Sequence, residues 1–449
     1  MTKLPLNEWL QRLEKLHPNE IELGLERVGK VAAVLGLDAP QQPVVTVAGT
    51  NGKGSTVAVI EALVQASGRT AGVFSSPHLF RFNERIRVGG AEAGDDEIAA
   101  AFAAIDQARG AVSLTYFEFA ALAALQIFQW QAPDIIVLEV GLGGRLDAVN
   151  ILDASIAVIT SIALDHQHWL GSTREAIAVE KAGVLRRDSA VVVADPEPPA
   201  SLLSEIQRIG ARPVLRCGHE FGVETQAASG VQGVTAGSGD VADKWTGYVQ
   251  RSAPKASGQR RRLPLLPASG LLPVNCCAAL QVAELLGLDL SAAQIEAALA
   301  GCDVPGRRQL QQVGGVHYLF DVAHNPAAVE KLLEFIHTMG CEKRIIAVFS
   351  AMADKDIAAM IACAGDSFDA WFVADQPGNP RAASAAALTA LLHEAGHTMI
   401  SGSKNLRQAL RRAQRVASPG DTLVVFGSFY TVAEVMPLVG EKHVKREAV

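Results

Sequence analysis

The sequence predicts an α/β protein of two domains, each built around a mostly parallel sheet. Short apolar, β-rich runs alternate with helical patterns along the first part of the chain, and the same rhythm returns after about residue 306. Parallel strands read as continuous apolar runs because helices cover both faces of their sheet. With 449 residues, of which 49% are hydrophobic, the chain also exceeds the size at which a single core stops growing.

The expected strands and helices place the domain boundary near residue 305. In the first domain we expect strands at 44–47, 71–74, 134–140, 156–162 and 190–194, and in the second at 318–322, 344–349, 370–374 and 422–426. Helices are expected at 272–286 and 291–300, and Val304, Pro305 and Gly306 then interrupt the pattern. The stretch 227–262, rich in Gly, Ser and Ala, favours loops or weak strands. The expected domains are therefore 1–305 and 306–449.

Composition argues against several classes of partner. The net charge of -7 opposes non-specific binding to nucleic acid or to an anionic membrane. The segment 1–18 lacks the apolar core of a signal peptide, and no later apolar run is long enough to cross a bilayer. The six cysteines show no metal-ligand spacing, which favours reduced thiols. We therefore expect a cytoplasmic protein with small-molecule substrates and without nucleic-acid or membrane partners. A monomer is a separate expectation that composition does not address.

A glycine-rich turn follows the first expected strand. Gly49, Thr50, Asn51, Gly52, Lys53, Gly54 and Ser55 lie where this strand passes into a helical pattern. Backbone N–H groups and the helix N-terminus attract phosphate, and Lys53 can reach its β and γ groups. The general pattern G-x-x-x-x-G-K-[ST] is not met, because Val47 replaces its first Gly and Gly54 separates Lys53 from Ser55. A strand-to-helix connection without ligand is the alternative.

Residue type alone gives four further positions the following interpretations. Glu139 ends an apolar strand, where a buried carboxylate could bind Mg²⁺ or pair with a basic side chain. By itself His166 would be a hydrogen-bonding or core histidine, because Mg²⁺ prefers oxygen. Ser76 would be a turn serine, and Lys181 would be a solvated helix lysine.

Motifs along nearly the whole chain resemble one family. Besides the turn at 49–55, they are Ser75-Ser76-Pro77-His78-Leu79, Thr115-Tyr116-Phe117-Glu118-Phe119, the stretch 141–147, Leu164-Asp165-His166 and Asp321-Val322-Ala323-His324-Asn325-Pro326. Together they resemble the bacterial bifunctional dihydrofolate synthase/folylpolyglutamate synthases of the Mur ligase superfamily. Only residues 1–48 precede the turn, too few for the UDP-sugar domain of the peptidoglycan-building Mur ligases. The resemblance implies an N-terminal domain with a P-loop, ATPase-like, mostly parallel sheet and a smaller, Rossmann-like C-terminal domain.

The resemblance also implies an activity and its substrates. The expected enzyme is an ATP-dependent ligase that adds L-glutamate to dihydropteroate and to the γ-carboxyl group of reduced folates, through an acyl phosphate. Its cofactors would be ATP and Mg²⁺, as two ions, with Lys181 converted to N6-carboxylysine. A P-loop kinase or a nucleotide-switch protein is the alternative, and phosphate release only when both folate and glutamate are present would distinguish the ligase.

Site residues follow from the same resemblance, position by position. Lys53, Lys181, Arg307 and His324 are expected in catalysis. ATP would contact Thr50, Asn51, Gly52, Lys53, Gly54, Ser55, Asn275, Arg307 and Asp321, and the metal would contact Ser76, Glu139, His166 and Lys181. The folate substrate would contact Glu20, Ile21, Glu22, Leu23, Thr115, Tyr116, Phe117, Glu118, Leu146, Asp147 and Ala148, and glutamate would contact His324 and Ser428. From residue type alone, the aromatic residues could be helix core, Arg308 competes with Arg307, and His324 could be structural.

Overall fold

The computed structural model describes residues 4–19, 21–224, 244–252, 258–267, 270–341 and 343–440. The chain divides into two compact units. Unit 1 comprises Met1–Ala163 and Gln167–Asp303, and unit 2 comprises Leu164–His166 and Val304–Val449. Within the described ranges, no helix combines the length and the hydropathy that a bilayer-spanning helix requires.

Unit 1 contains an eight-stranded sheet. Its strands are β1 (Val44–Ala48), β2 (Ala71–Phe74), β3 (Ile86–Val88), β4 (Ala91–Glu92), β5 (Ile135–Glu139), β6 (Ile156–Ile159), β7 (Ala190–Val193) and β8 (Val214–Arg216). Their order is β4-β3-β2-β5-β1-β6-β7-β8, and only β3 and β4 run antiparallel to their neighbours. Strands β1, β2, β5, β6 and β7 are buried at every position, which explains why apolar runs predicted them.

Ten helices accompany this sheet among the described residues. They are α1 (Leu6–Leu16), α2 (Glu26–Leu35), α3 (Lys53–Ala66), α4 (Asp95–Arg109), α5 (Tyr116–Gln131), α6 (Gln167–Leu170), α7 (Arg174–Ala182), α8 (Ala200–Ile209), α9 (Pro273–Leu285) and α10 (Ala292–Ala300). Helix α5 packs with α1, α2 and α4 over one face of the sheet, and α3 packs with α9 and α10. Both faces are therefore covered, as a parallel sheet requires.

A small antiparallel sheet lies beside α9. It consists of β9 (Gly222–Glu224), β10 (Lys244–Gln250), β11 (Arg260–Arg262) and β12 (Leu266–Pro267). The fully buried Gln281 of α9 exchanges two hydrogen bonds with the backbone of Gln250, which fixes the helix against β10. The weak strands expected within 227–262 are present in its described part, while 225–243 and 253–257 lie outside the described residues.

Unit 2 contains a six-stranded sheet with helices on both faces. The strands are β13 (Gln309–Val313), β14 (Val316–Phe320), β15 (Ile345–Phe349), β16 (Ala370–Ala374), β17 (Ile400–Ser403) and β18 (Thr422–Phe426), in the order β13-β14-β18-β15-β16-β17. Only β13 is antiparallel. The helices are α11 (Pro326–Thr338), α12 (Ile357–Ala364), α13 (Ala385–Glu394), α14 (Leu406–Val416) and α15 (Phe429–Val435). The predicted fold class, two mostly parallel α/β sheets, is confirmed.

The strand order of each unit determines where its functional residues meet. In unit 1 the first strand, β1, lies between β5 and β6, so the chain crosses to opposite sides of β1. In unit 2 the last strand, β18, lies between β14 and β15. Ligands of open α/β sheets bind outside the carboxyl ends of the strands at such reversals. The loops after β1, β2, β5 and β6, and those after β14, β15 and β18, are therefore the candidate site segments.

An aromatic cluster in the core of unit 2 gives a stability prediction. The ring of Phe426, 1% exposed, stacks on Phe368 at 5.4 Å and lies 4.9 Å from Phe349. We expect Phe426→Ala to lower the free energy of unfolding by roughly 3–5 kcal/mol, because it removes buried area and leaves a cavity. Urea denaturation followed by circular dichroism measures the loss. Phe80→Ala is the matched control, since Phe80 is 47% exposed. Equal effects of the two substitutions would contradict this packing.

Candidate active site

The phosphate turn has no room for a side chain at its first residue. Gly49 has φ 148°, and an added Cβ would lie 1.7 Å from Oγ1 of Thr160. Hydrogen bonds from Thr50 N to Ser161 O at 2.6 Å and from Ala163 N to Thr50 Oγ1 at 3.0 Å attach the turn to the chain after β6. The Thr50 hydroxyl therefore holds the turn, which positions the backbone N–H groups at the start of α3.

Two lysines donate to the same carbonyl oxygen of this turn. Nζ of Lys53 lies 3.0 Å from Gly49 O and 3.2 Å from Thr50 O. Nζ of Lys181, on α7, lies 2.8 Å from Gly49 O, and the residue is 3% exposed. The interpretation of Lys181 as a solvated helix lysine is therefore wrong. Its position on α7 brings a buried amine to the turn, 132 residues away in sequence.

Asn275 packs directly against the turn. It lies in the first turn of α9, is 5% exposed, and an added Cβ at Gly52 would lie 2.8 Å from its amide. Gly52 has φ 90° and caps the N-terminus of α3. A larger residue at position 52 would be strained and would collide with the amide. The structure thus brings Asn275 and the predicted phosphate turn together.

Glu139, at the end of β5, faces the start of α3. Its carboxylate is 4% exposed and accepts a hydrogen bond from Ser76 N at 3.1 Å. An added Cβ at Gly54 would lie 3.6 Å from each carboxylate oxygen, which places the carboxylate directly beside the backbone at the start of α3. Among the described residues, no group of three or more His, Cys, Asp or Glu side chains converges as a metal site. The predicted oxygen donors Ser76 and Glu139 are nevertheless adjacent.

Two predicted folate-binding carboxylates are engaged within unit 1. Glu118, 3% exposed, accepts from Thr115 N at 2.7 Å and from Arg27 at 3.1 Å. Glu22 pairs with the same Arg27. The predicted contact Glu20 lies outside the described residues. Both carboxylates therefore fix local structure, whatever else they contact.

Tyr116 and Phe117 are partly buried aromatic residues of the same segment. Phe117 lies 5.6 Å from Phe74 between ring centroids, and Tyr116 lies 5.9 Å from Phe82. An added Cβ at Gly141 would lie 2.6 Å from Phe117, which places the ring directly against the chain after β5. The rings are thus held by their neighbours at the edge of the sheet where the phosphate turn lies.

Asp147 organises the loop that contains Leu146 and Ala148. Its carboxylate accepts from Gly141 N at 3.0 Å, Leu142 N at 2.9 Å and Val149 N at 3.0 Å. Burial raises the pKa of Asp147 to about 6, while these N–H groups and the charge of Lys53 act in the opposite direction. The residue shapes the predicted substrate loop through its own backbone contacts.

In unit 2, His324 and Arg307 meet at the carboxyl end of β14. The carbonyl of Val322 accepts from Nδ1–H of His324 at 2.8 Å, and Arg307 lies over the ring of Phe429 at 5.1 Å. The same Phe429 ring is 6.0 Å from His324. Asp321 accepts from Arg308 N and Ala323 N, and burial raises its pKa against the charges of Arg307 and Arg308. The sheet reversal thus gathers these predicted site residues.

Asp165 and His166 belong to the same cluster. Asp165 pairs with Lys355, which has a 7% exposed side chain, and lies 3.4 Å from Nε2 of His324. Burial raises the pKa of Asp165, but the hydrogen bond and charge of His324, with Lys355 and His166, hold it well below its usual value. His166 has φ 50°, and its Nε2 lies 3.4 Å from Nζ of Lys355. The carboxylate of Asp165 is therefore the shared acidic neighbour of Lys355, His324 and His166.

Arg308, the alternative to Arg307, and Ser428, a predicted glutamate contact, both bind other parts of unit 2. Arg308 donates to the carbonyl of Lys331 and lies over Phe335, so its side chain is tied to α11. Ser428, 3% exposed, caps α15 by accepting from Thr431 N at 3.0 Å. Arg307 is thus placed at the cluster rather than Arg308, and the Ser428 hydroxyl is engaged in a helix cap.

Sequence reasoning missed Lys355 and Arg27 as site residues. Lys355 follows β15, and β15 lies next to β18, where the strand order reverses. Only a known strand order could have indicated Lys355 as a site residue. Arg27 follows the predicted folate contacts at 20–23 closely in sequence, but its partner Glu118 is 91 residues away. Neither contact has a local signal, because each joins segments that only the fold brings together.

Comparisons with known proteins agree with this geometry. The family model for the Mur ligase middle domain matches residues 47–242, and the one for the Mur ligase glutamate ligase domain matches residues 306–429. The class of the protein is therefore the Mur ligases. A dihydrofolate synthase/folylpolyglutamate synthase of Escherichia coli K12 is 42% identical over 97% of this chain and 96% of that protein. The chain belongs to the dihydrofolate synthase/folylpolyglutamate synthase family.

Solved structures of the family match over nearly the whole chain. Escherichia coli FolC in complex with DHPP and ADP has a TM-score of 0.86 and 40% identity, covering 97% of this chain and 98% of that chain. A bifunctional folylpolyglutamate synthase/dihydrofolate synthase with Mn, AMPPNP and L-glutamate bound has a TM-score of 0.84 and 39% identity, with the same coverage. The predicted family resemblance is confirmed.

The raised pKa of Asp147 gives a pH prediction. Because its folded pKa of about 6 exceeds its ordinary value of 3.8, its stabilising contribution is complete below pH 3.8 and is lost as pH rises through about 6. The Asn variant does not titrate at this position. We therefore expect the free energy of unfolding of the parent to fall by up to roughly 3 kcal/mol relative to that of Asp147→Asn between pH 4 and 7. Urea denaturation at each pH measures it.

The exposed, uncharged Gln41 provides the control: because Gln41→Asn changes no titratable group, the stability difference between it and the parent should not change over this range. A constant difference for Asp147→Asn as well would contradict the buried state of its carboxylate.

Proposed function

We propose that this chain is an ATP-dependent ligase that adds L-glutamate to dihydropteroate and to the γ-carboxyl group of reduced folates. The observation that carries the proposal is the phosphate turn, with Lys53 and the buried Lys181 on one carbonyl, in a chain related to such synthases over 97% of its length. Relatives solved with ADP, AMPPNP, DHPP and L-glutamate support each substrate class.

In this proposal residues 1–305 bind ATP and the folate substrate, and residues 306–449 bind glutamate. The N–H groups at the start of α3 face the phosphates, and Lys53 exchanges its contact with Gly49 O for phosphate oxygens. Asn275 lies against Gly52 and so borders the same turn. The ATP contacts of Arg307 and Asp321 stay predictions, as do those of Thr50, Asn51 and Ser55.

The residues after β5 and β2 suit a divalent cation. Glu139 is buried beside the backbone of Gly54 and is hydrogen-bonded to the backbone of Ser76, so this carboxylate and the Ser76 hydroxyl would hold the ion. When bound, Mg²⁺ neutralises charge on the phosphate oxygens. A relative with bound Mn supports a divalent metal. The metal roles of His166 and Lys181 stay predictions.

We also propose that Lys181 becomes N6-carboxylysine. The amine must be neutral to react with CO₂, and burial disfavours the charged form. The observations that support the proposal are its 3% exposure and its place at the Gly49 carbonyl, beside Lys53. The modification would convert a cation next to the turn into an anion.

The proposed reaction has two chemical steps, formation of an acyl phosphate and formation of the amide. A carboxylate oxygen of the folate substrate attacks the γ-phosphorus of ATP, and the bond from that phosphorus to the β–γ bridging oxygen breaks, which yields an acyl phosphate and ADP. The neutral amine of glutamate then attacks the acyl carbon, loses a proton and displaces phosphate to form the amide. The protein contributes mainly positioning and charge stabilisation.

Basic groups of unit 2 suit the incoming glutamate. His324, Lys355 and His166 lie around a single carboxylate, Asp165, so basic side chains outnumber acidic ones in this cluster. A carboxylate of glutamate matches this charge. The direct role predicted for the Ser428 hydroxyl is less favoured, because that group caps α15.

The folate subsite is built from aromatic and backbone groups. Glu118 and Asp147 already accept two and three hydrogen bonds from unit 1, and the carbonyls of Glu22 and Leu146 accept from Arg27 and Gly24 N. The aromatic faces of Tyr116 and Phe117 therefore suit the pterin ring, with 21–23 and 146–148 as further predicted contacts. All six cysteines are free thiols, consistent with the proposed cytoplasmic location. The expected monomeric state stays a prediction.

The substrate requirement of phosphate release tests the function. We expect the purified protein to release phosphate from ATP only when dihydropteroate, or a reduced folate, and L-glutamate are both present, and the product mass to show one added glutamate. Lys53→Ala should abolish release, whereas Lys30→Ala, at an exposed position of α2, should not. A phosphorylated product would indicate a kinase, and release by ATP alone would indicate a nucleotide switch. Either result would overturn the ligase proposal.

His324→Ala tests the glutamate subsite. We expect the KM for L-glutamate to rise about tenfold with little change in the KM for ATP, because a charge-assisted hydrogen bond is lost. Steady-state phosphate release at varied glutamate measures this. His393→Ala, exposed on α13, is the control and should behave like the parent. An unchanged glutamate KM would remove His324 from the subsite.

A further inference from the structure

Arg27 joins the segment before α2 to the start of α5. It is the second residue of α2, and its guanidinium donates to Glu22 Oε1, to the backbone carbonyl of Glu22 at 2.9 Å and to Glu118 Oε1 at 3.1 Å. The base of α2 is fixed, because Val28 and Val31 are at most 1% exposed. One planar side chain on a rigid helix therefore contacts two separate segments.

The contact with Glu118 is a buried one. Glu118 has a 4% exposed side chain and Arg27 a 24% exposed one. The other oxygen of Glu118 accepts from Thr115 N in the capping box of α5. Removing the guanidinium would leave a buried carboxylate with only its capping bonds, which is costly.

A third segment joins through the backbone. Gly24 N donates to Leu146 O at 3.2 Å, which ties the residues before α2 to the loop folded around Asp147. Thus 21–24, 115–118 and 146–148, which are separate in sequence, converge beside Arg27. These are the three segments assigned above to the folate substrate.

We propose that Arg27 is a positioning residue for the pterin-bearing substrate: it holds the segment 21–24 against α5 so that these three segments form one subsite. The inference rests on the proposed function. Arg27 acts through Glu22 and Glu118, whereas ATP is assigned to the separate turn at 49–55. Loss of Arg27 should therefore weaken folate binding without weakening nucleotide binding.

The geometry requires arginine rather than any cation. The guanidinium reaches two carboxylates and one carbonyl with NH1 and NH2, whereas a lysine ammonium is a compact point charge. Arg27→Lys should consequently retain part of the function, and Arg27→Met, which keeps an apolar stem without charge, should retain none of the bridging.

The experiment compares Michaelis constants of full-length variants. We expect Arg27→Met to raise the KM for dihydropteroate about tenfold or more, while its KM for ATP stays within about twofold of that of the parent. The KM of Arg27→Lys for dihydropteroate should lie between those of the parent and Arg27→Met. ADP binding by isothermal titration shows whether the nucleotide site is intact. The control is Arg12→Met on α1, an arginine with a 44% exposed side chain that pairs with Asp106, and it should leave both KM values unchanged.

A second variant separates positioning from folding. If the two residues act as a pair, Glu118→Gln should raise the KM for dihydropteroate, and the double variant should be no worse than the poorer single one. Additive effects, or equal rises in both KM values with a lowered Tm, would overturn the positioning role. If the parent itself shows no phosphate release with dihydropteroate and glutamate, the proposed function fails. If the parent is active and Arg27→Met matches it, only the Arg27 inference fails.

Discussion

The arrangement of unit 1 depends on the absence of a side chain at Gly49. Only hydrogen fits against Thr160, so the chain leaving β1 can lie against the chain leaving β6 and present the carbonyl of Gly49 to two lysines. A methyl group there would push the turn from the sheet and separate it from both ammonium groups. This close contact therefore allows Lys53 at the start of α3 and Lys181 of α7 to reach one carbonyl.

Hydrogen-bonded carboxylates fix loops within each unit. In unit 1, Asp147 accepts from three N–H groups of its own loop, and Glu118 accepts from Thr115 N and from the remote Arg27. In unit 2, Asp165 pairs with Lys355. A buried carboxylate is stable only when such donors surround it, which makes these loops sensitive to a single substitution. The sheets supply the frame, and these carboxylates determine how the loops at its edge are shaped.

The fold was predictable from sequence because its signals are local. Apolar runs identified β1, β2, β5 and β6 since those strands are buried on both faces, and the turn at Gly49 was found because glycine and lysine stand at a strand-to-helix junction. The short edge strands β4 and β8 were missed because two or three residues give no periodicity. The site was predictable mainly through the family resemblance. Its internal partners, such as Arg27 with Glu118, were not, because such pairing depends on contacts between remote segments.

The three residues Leu164–His166 belong to unit 2 although unit 1 residues flank them on both sides in sequence. A fragment that starts at Val304 would therefore lack Asp165, and the ammonium of Lys355, buried in the intact protein, would lose its acidic partner. The two units cannot be excised cleanly at one cut, because part of the second is encoded within the first. Dissection of this protein into independent modules, or recombination of its C-terminal part with another member of the family, must carry that tripeptide along.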